Sequence, residues 1–152
     1  MRKSVLFLVG ILYLVSIVVV TFFGMQARMD QFKVYVSSVE IINDGMGEFE
    51  DENGNKHKKI LIRFPSKEAT EVTFNVQTKV LPENATDKSL TYTLRDVNGK
   101  LVSEDVARIL SDGRLSIAKS SKPGDIVIFV IVTAADGSNK SDTLKITCRA
   151  AK

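Results

Sequence analysis

The chain has 152 residues, 44% of them hydrophobic and 26% charged, which allows one ordinary domain with a short extra segment and excludes two large domains. One Cys and one His exclude a disulfide framework and a Cys/His zinc site. Of the 21 Lys and Arg residues, Arg2, Lys3 and Arg28 flank an apolar stretch, which leaves 18 for residues 30–152 against all 18 Asp and Glu. We therefore expect no nucleic-acid partner, because this part has no excess positive charge to follow a phosphate backbone.

The first element in chain order is an apolar segment at residues 5–27. No residue from 4 to 27 is charged, and a helix of about 20 residues covers the roughly 30 Å hydrocarbon core of a bilayer. Arg2 and Lys3 precede the segment, so the positive-inside rule places residues 1–4 in the cytoplasm and residues 30–152 outside it. The sequence thus predicts a single-pass protein of the cell membrane that contacts lipid through residues 5–27.

A cleaved signal peptide is the alternative to a retained signal anchor. The apolar region of a signal peptide usually runs about 7 to 15 residues and ends at a small-x-small site. Here the apolar run extends from 5 to 23, and a cut after Ala27 would place Met25 at the −3 position. Retention is therefore favoured over cleavage.

Beyond residue 30, hydrophobic side chains recur at every second position, the period of a strand with one buried face. Alternation is strict in the segments 72–80, 90–94 and 144–148, and further candidate strands are 32–42, 58–64, 107–110, 115–118 and 126–134. Four dipeptides supply the positive φ that tight turns need, namely Asn53-Gly54, Asn98-Gly99, Asp112-Gly113 and Asp136-Gly137. Seven or eight short strands without an amphipathic helix predict an all-β, antiparallel β-sandwich.

Five short motifs between residues 70 and 148 follow one another in the order found in one known family. They are the turn Pro82-Glu83-Asn84-Ala85-Thr86-Asp87-Lys88, the strand Ala107-Arg108-Ile109, the hairpin Asp112-Gly113-Arg114-Leu115, the pair Pro123-Gly124, and Cys148. Together they resemble the group 2 family of bacterial Ig-like domains, found in bacterial surface proteins and phage proteins. The resemblance implies an Ig-like sandwich with a spacer or adhesion role and no shared catalytic residues. The chain departs from the family in having Tyr92 where a strand Trp is common, and in an extra hairpin around 46–62.

Candidate catalytic residues are few. His57 has no second His, no Cys and no nucleophile-elbow Ser nearby in the sequence, and Cys148 has no sequence-local activator. We expect a surface histidine and a buried thiol on a strand face, and therefore no enzymatic activity.

One oxygen-rich cluster, at residues 48–55, is a candidate calcium loop. With Gly54 at position six of an EF-hand, Phe49 and Ile60 would occupy positions one and twelve, so neither end supplies a carboxylate. Ion pairing of the acidic arm with the lysines at 56–59 across the turn explains both charge runs. We expect no metal or cofactor, with calcium as the alternative.

The candidate strand at 126–132 lacks alternation, because all seven of its residues are apolar. Both faces of such a strand need cover. One interpretation covers its outer face with the segment 60–62. The other leaves Val127, Phe129 and Ile131 as a docking patch for a second protein or another copy of the chain.

These observations favour a membrane-anchored, surface-exposed module with a non-enzymatic binding, adhesion or scaffolding role. The alternative is a pilin-like or envelope-complex subunit that assembles through its apolar helix and β-domain. Pilin-like subunits are cut just before the apolar helix, usually after a Gly, and the bacterial ones carry a Glu near its start. Residues 4–7 contain neither the Gly nor the Glu.

Overall fold

The computed structural model describes residues 3–50, 54–119 and 125–150. These residues form one helix and ten strands, and the chain divides into two units, residues 1–34 and 35–152. The prediction of a mostly β chain with one apolar N-terminal helix is confirmed.

The first unit is built on helix α1, Lys3–Gln31. Its 29 residues correspond to about 43 Å at 1.5 Å per residue, more than the thickness of a hydrocarbon core. The window Phe7–Gly24 is long and apolar enough to cross a membrane, and none of it is buried within the protein. The helix is therefore compatible with a membrane anchor, and its last turns continue past the apolar window.

The strands of the second unit are β1 Ser38–Ile41, β2 Gly47–Glu50, β3 Lys56–Arg63, β4 Glu71–Asn75, β5 Thr78–Leu81, β6 Leu90–Arg95, β7 Ala107–Ile109, β8 Arg114–Ala118, β9 Ile126–Ala134 and β10 Ser141–Arg149. The described strands outnumber the seven or eight expected for two reasons. The hairpin region contributes β2 as well as β3, and the segment 72–80 forms two strands instead of one. The predicted strand at 32–42 is also too long, since residues 32–37 form the irregular connection after helix α1 and β1 begins only at Ser38.

The strands pair in three sheets. A five-stranded sheet has the order β2-β3-β10-β9-β6, a three-stranded sheet the order β4-β8-β7, and β1 pairs with β5. Among the described strands every pair is antiparallel except β3 with β10, which run parallel with Ile60 beside Ile146. The expectation of a wholly antiparallel fold is wrong for this pair, because no tight turn joins these strands and sets their relative direction.

The hydrophobic core lies where the inward faces of the sheets meet. The five-stranded sheet buries alternate residues of its two central strands, Ile128, Val130 and Val132 in β9 and Leu144, Ile146 and Cys148 in β10. The three-stranded sheet contributes Leu115 and Ile117, and β1 contributes Val39 and Ile41. All of these side chains belong to one buried cluster, so the remaining alternate positions of β9 and β10 point away from the core.

The predicted strand at 72–80 changes sheets in its middle. β4 pairs with β8, whereas β5 pairs with β1. At the crossing, Asn43 donates from Nδ2 to the carbonyl of Asn75 at 2.7 Å, and its Oδ1 accepts the N–H of Gln77 at 3.0 Å. Asn43 is only 9% exposed, so its amide satisfies backbone groups that would otherwise be buried without a partner.

The turn glycines adopt the predicted backbone conformation. Gly54, Gly99, Gly113 and Gly137 all have positive φ, between 75° and 91°. Asn53 and the Pro123-Gly124 pair lie outside the described residues. Gly113 is the most constrained of the four, because an added Cβ there would lie 2.7 Å from the carbonyl oxygen of Val76.

Candidate functional site

The predicted docking patch lies on the outward face of the five-stranded sheet. Strand β9 is flanked by β10 and β6, and its side chains Val127, Phe129 and Ile131 alternate with buried ones. Each of the three is half-buried. The structure thus brings them together on one face, which is turned away from the core.

Two side chains lie against Phe129, Lys145 from the adjacent strand β10 and Phe49 from β2, which is separated from β9 by β3 and β10. Lys145 is the register partner of Phe129, and the Lys145 Nζ lies 5.9 Å from the Phe129 ring centroid and 4.8 Å from that of Phe49. The two phenyl rings are themselves 6.4 Å apart, and His57 lies 5.5 Å from Phe49. The ammonium therefore lies within 6 Å of both phenyl ring centroids, a distance at which cation–π attraction acts.

The segment 60–62 does not cover the patch from above, so that interpretation is wrong. Strand β3 lies in the same sheet as β9, separated from it by β10, and pairs with β10 edge to edge. Ile60 and Ile62 pack against the core, while Leu61 is 47% exposed. Among the described hairpin residues, Phe49 of β2 lies against Phe129, whereas Ile60 and Ile62 point to the opposite face because the pleat alternates the side chains along β3.

Charged side chains on this outward face are mostly basic. Strand registers place five of them on it: Lys59, Arg63, Arg95, Lys145 and Arg149. Asp125, just before β9, accepts a hydrogen bond from Arg149 Nε at 2.8 Å. Counting charge over the whole chain hides this face. The sign of charge at every second position indicates the basic side of a single strand, but the strand order is needed to show which of these sides adjoin.

Cys148 faces the core of the second unit. It is 1% exposed, and burial, with a smaller contribution from the negative charge of Asp125, raises the pKa of its thiol to about 11. A thiol in this state is a poor nucleophile at neutral pH, because the reactive form is the thiolate.

The acidic arm faces lysines across the hairpin. Glu48 pairs in register with Lys58 and Glu50 with Lys56, although the Lys58 ammonium contacts the Asp142 carboxylate at 2.9 Å. Residues 51–53 of the candidate calcium loop lie outside the described residues. Within the described ranges, no group of three or more His, Cys, Asp or Glu side chains could hold a metal ion.

Strand β4 borders two shallow, open depressions. The first, of about 540 Å³, is lined by Thr73, Phe74, Asn75, Asp112 and Arg114. The second, of about 490 Å³, is lined by Arg63, Pro65, Glu71, Val72 and Thr73. Their described linings lack the paired nucleophile and base that hydrolytic chemistry requires, so the outward face of the five-stranded sheet is the better candidate.

No model of a known protein family matches the chain, and no curated protein has a significantly similar sequence. The function is therefore inferred from the helix and from the outward face of the five-stranded sheet.

Proposed function

We propose that the protein is a single-pass membrane protein whose β-domain is a non-enzymatic binding or scaffolding module at the cell surface. One observation carries this proposal. A helix whose apolar window has no burial within the protein is joined to a β unit by only six residues, 32–37. Such a helix finds apolar surroundings in a bilayer, so the β-domain is held next to the membrane surface.

An Ig-like sandwich is the proposed architecture of the β-domain. The five-stranded and three-stranded sheets contribute to one core, as two packed sheets of a sandwich do. Three of the motifs that resemble the group 2 family contribute residues at defined positions in the described part of the β-domain. Ala85 of the turn motif is buried, Gly113 forms the β7–β8 turn, and Cys148 lies buried in the last strand. In a fold of this type, function resides in the exposed surface and not in the architecture itself.

The proposed orientation rests on charge. Arg2 and Lys3 precede the helix, and short basic segments stay on the cytoplasmic side. The β-domain would then be extracytoplasmic, where a binding or adhesion module meets its partners.

Fractionation of cells that produce the full chain tests this proposal. We expect the protein to stay in the membrane pellet after extraction with alkaline carbonate, because a spanning helix is not released by high pH. Protease added to intact cells or protoplasts should remove the β-domain and leave the N-terminus protected. A protected β-domain would overturn the surface location, and release into the alkaline supernatant would overturn the anchor.

A pilin-like or envelope-complex subunit is the second candidate function, favoured by the same uncovered helix, because such helices also pack against copies of themselves. Mass spectrometry of the N-terminus separates the two candidates. An intact N-terminus supports the anchored module, and a chain that begins just before the apolar helix supports the subunit.

A further inference from the structure

The outward face of the five-stranded sheet concentrates positive charge that the chain as a whole does not have. Residues 30–152 carry equal numbers of basic and acidic side chains. The face that bears Lys59, Arg63, Arg95, Lys145 and Arg149, here called the basic face, includes one described carboxylate, Asp125, at its margin. The nearby acids Glu48 and Glu50 alternate with Phe49 along β2 and so lie on the other side of that strand.

The strand register also sets like charges side by side on the basic face. Lys59 is the partner of Lys145, and Arg63 is the partner of Arg149. Like charges directly opposite each other destabilise a sheet. Asp125 compensates the second pair through its contact with Arg149. Folding alone does not favour the Lys59–Lys145 pair, whereas an anionic ligand that meets both ammonium groups would stabilise it.

Apolar side chains lie among these cations. Val127, Phe129 and Ile131 form the centre of the basic face, and the Lys145 ammonium lies within 6 Å of the Phe129 and Phe49 ring centroids. Half-buried aromatic and aliphatic groups surrounded by Lys and Arg are typical of surfaces that lie at the level of lipid headgroups. A second copy of the chain is a poorer occupant, because a two-fold contact would bring two basic faces together.

The connection to the helix favours lipid over an acidic protein. Six residues between α1 and β1 span at most about 20 Å, which keeps the β-domain at a high effective concentration next to the bilayer. In this connection Phe32 is 81% exposed and Tyr35 is 53% exposed, and exposed aromatic side chains are enriched at the membrane–water interface.

We propose that the basic face binds the anionic headgroups of the membrane to which the chain is anchored. This inference rests on the proposed function, since it takes the helix as a membrane anchor, and it names the ligand of the β-domain. Binding of this kind would hold the five-stranded sheet against the bilayer and leave the three-stranded sheet turned toward solvent.

A single tryptophan in the full chain provides the test, because the sequence contains no Trp. Ile131→Trp places the fluorophore on the basic face. Leu110→Trp places it at an exposed position in the β7–β8 turn of the three-stranded sheet and is the matched control. Each chain is reconstituted into vesicles of phosphatidylcholine, alone or with about a third of phosphatidylglycerol, that contain lipids spin-labelled at the headgroup. We expect Ile131→Trp to be quenched several-fold more in the anionic vesicles, with the difference lost at high salt, and Leu110→Trp to be quenched equally in both.

Charge-reversal substitutions identify the basic residues that bind the anionic vesicles. In the Ile131→Trp chain, Lys59→Glu with Arg63→Glu should abolish the extra quenching, whereas Arg108→Glu with Arg114→Glu, on the three-stranded sheet, makes the same charge change and should leave it intact. Circular dichroism checks folding, and if the first pair does not fold, Lys59→Gln with Arg63→Gln replaces it, with a partial loss expected.

Three results would overturn the proposal. The first is equal quenching of Ile131→Trp in neutral and anionic vesicles, and the second is quenching that salt does not reduce. The third is a change in the fluorescence of Ile131→Trp with soluble polyglutamate but not with anionic vesicles, which would assign the basic face to an acidic protein. Alkaline extraction of the same vesicles tests the anchor separately. A chain that is extracted but still binds anionic vesicles in a salt-sensitive manner overturns the anchor and supports the lipid ligand.

Discussion

The ammonium of Lys58 lies 2.9 Å from the carboxylate of Asp142, and both groups also bind the backbone of Ile41. Lys58 donates to the Ile41 carbonyl at 2.7 Å, and Asp142 Oδ2 accepts the Ile41 N–H at 2.8 Å. Ile41 is fully buried in β1, a strand whose sheet partner is β5. The ion pair therefore connects β1 to β3 and β10 and satisfies backbone groups at the edge of the core.

We expect Asp142→Asn to lower the free energy of unfolding by about 1 to 3 kcal/mol. The substitution removes the negative charge beside Lys58, and the single amide oxygen cannot replace both Oδ2, which accepts from Lys58 and Ile41, and Oδ1, which accepts from the Thr143 N–H. Urea denaturation of the detergent-solubilised chain measures the change. Arg114→Gln is the control, because the Arg114–Asp112 pair is 3.7 Å long and well exposed, and its loss should cost less than about 0.5 kcal/mol. Equal effects of the two substitutions would contradict the connecting role of Asp142.

Gly113→Ala should destabilise the β-domain more than Gly99→Ala. Both glycines have positive φ, which costs a non-glycine residue about 1 kcal/mol or more. An added Cβ at Gly113 would also lie 2.7 Å from the Val76 carbonyl oxygen, whereas nothing lies within 4 Å at Gly99. We expect a loss of about 3 kcal/mol at Gly113 and about 1 kcal/mol at Gly99, measured by thermal melts. Similar losses would mean that the β7–β8 turn can move away from Val76.

Stability should fall at acid pH. The Ser138 side chain and the N–H of Val36 hold the pKa of Asp136 below its ordinary value of 3.8, and local hydrogen bonds do the same for Asp87 and Asp96. A carboxyl whose pKa is lowered by folding stabilises the protein above its unfolded pKa, and this contribution is lost as the pH falls through the folded pKa. We expect an onset of acid destabilisation at about pH 4.

Asp136→Asn should reduce the stability of the fold at pH 7. It should also make the further loss of stability at acid pH smaller. Melting temperatures of the two chains between neutral and acid pH check this, with Glu83→Gln as an exposed carboxylate control. A variant as acid-sensitive as the unmodified chain would show that Asp136 does not contribute.

Cys148 should resist thiol reagents in the folded protein. Folding raises its pKa from 9.0 to about 11, so the unfolded chain loses this proton first and stability should decline as the pH rises between these values. Cys148→Ala should abolish that part of the decline. Labelling with a maleimide, with and without urea, tests accessibility. Rapid labelling of the native chain would show that the thiol is not held in the core.

The local sequence pattern was sufficient to predict most of the secondary-structure elements of this protein. The uncharged run at 4–27 predicted the helix, and alternation predicted β6, β8, β9 and β10 to within a few residues, because a buried strand face demands an apolar side chain at every second position. Turn chemistry predicted positive φ at Gly54, Gly99, Gly113 and Gly137, but not at Gly45. The alternation of apolar and polar residues did not reveal that the chain changes sheets at Val76. The alternation continues from β4 into β5, although β4 is hydrogen-bonded to β8 and β5 to β1.

Pairing between distant strands required the tertiary structure. The parallel contact of β3 with β10 joins segments more than eighty residues apart, and no local propensity encodes the partner or direction of such a contact. That contact sets Lys59 beside Lys145 and assembles the basic residues of β3 and β10 on one face. The sequence by itself determined which side chains share a face of each strand, but only the strand order decided which of those faces adjoin, because sheet pairing is chosen by the burial of the whole core.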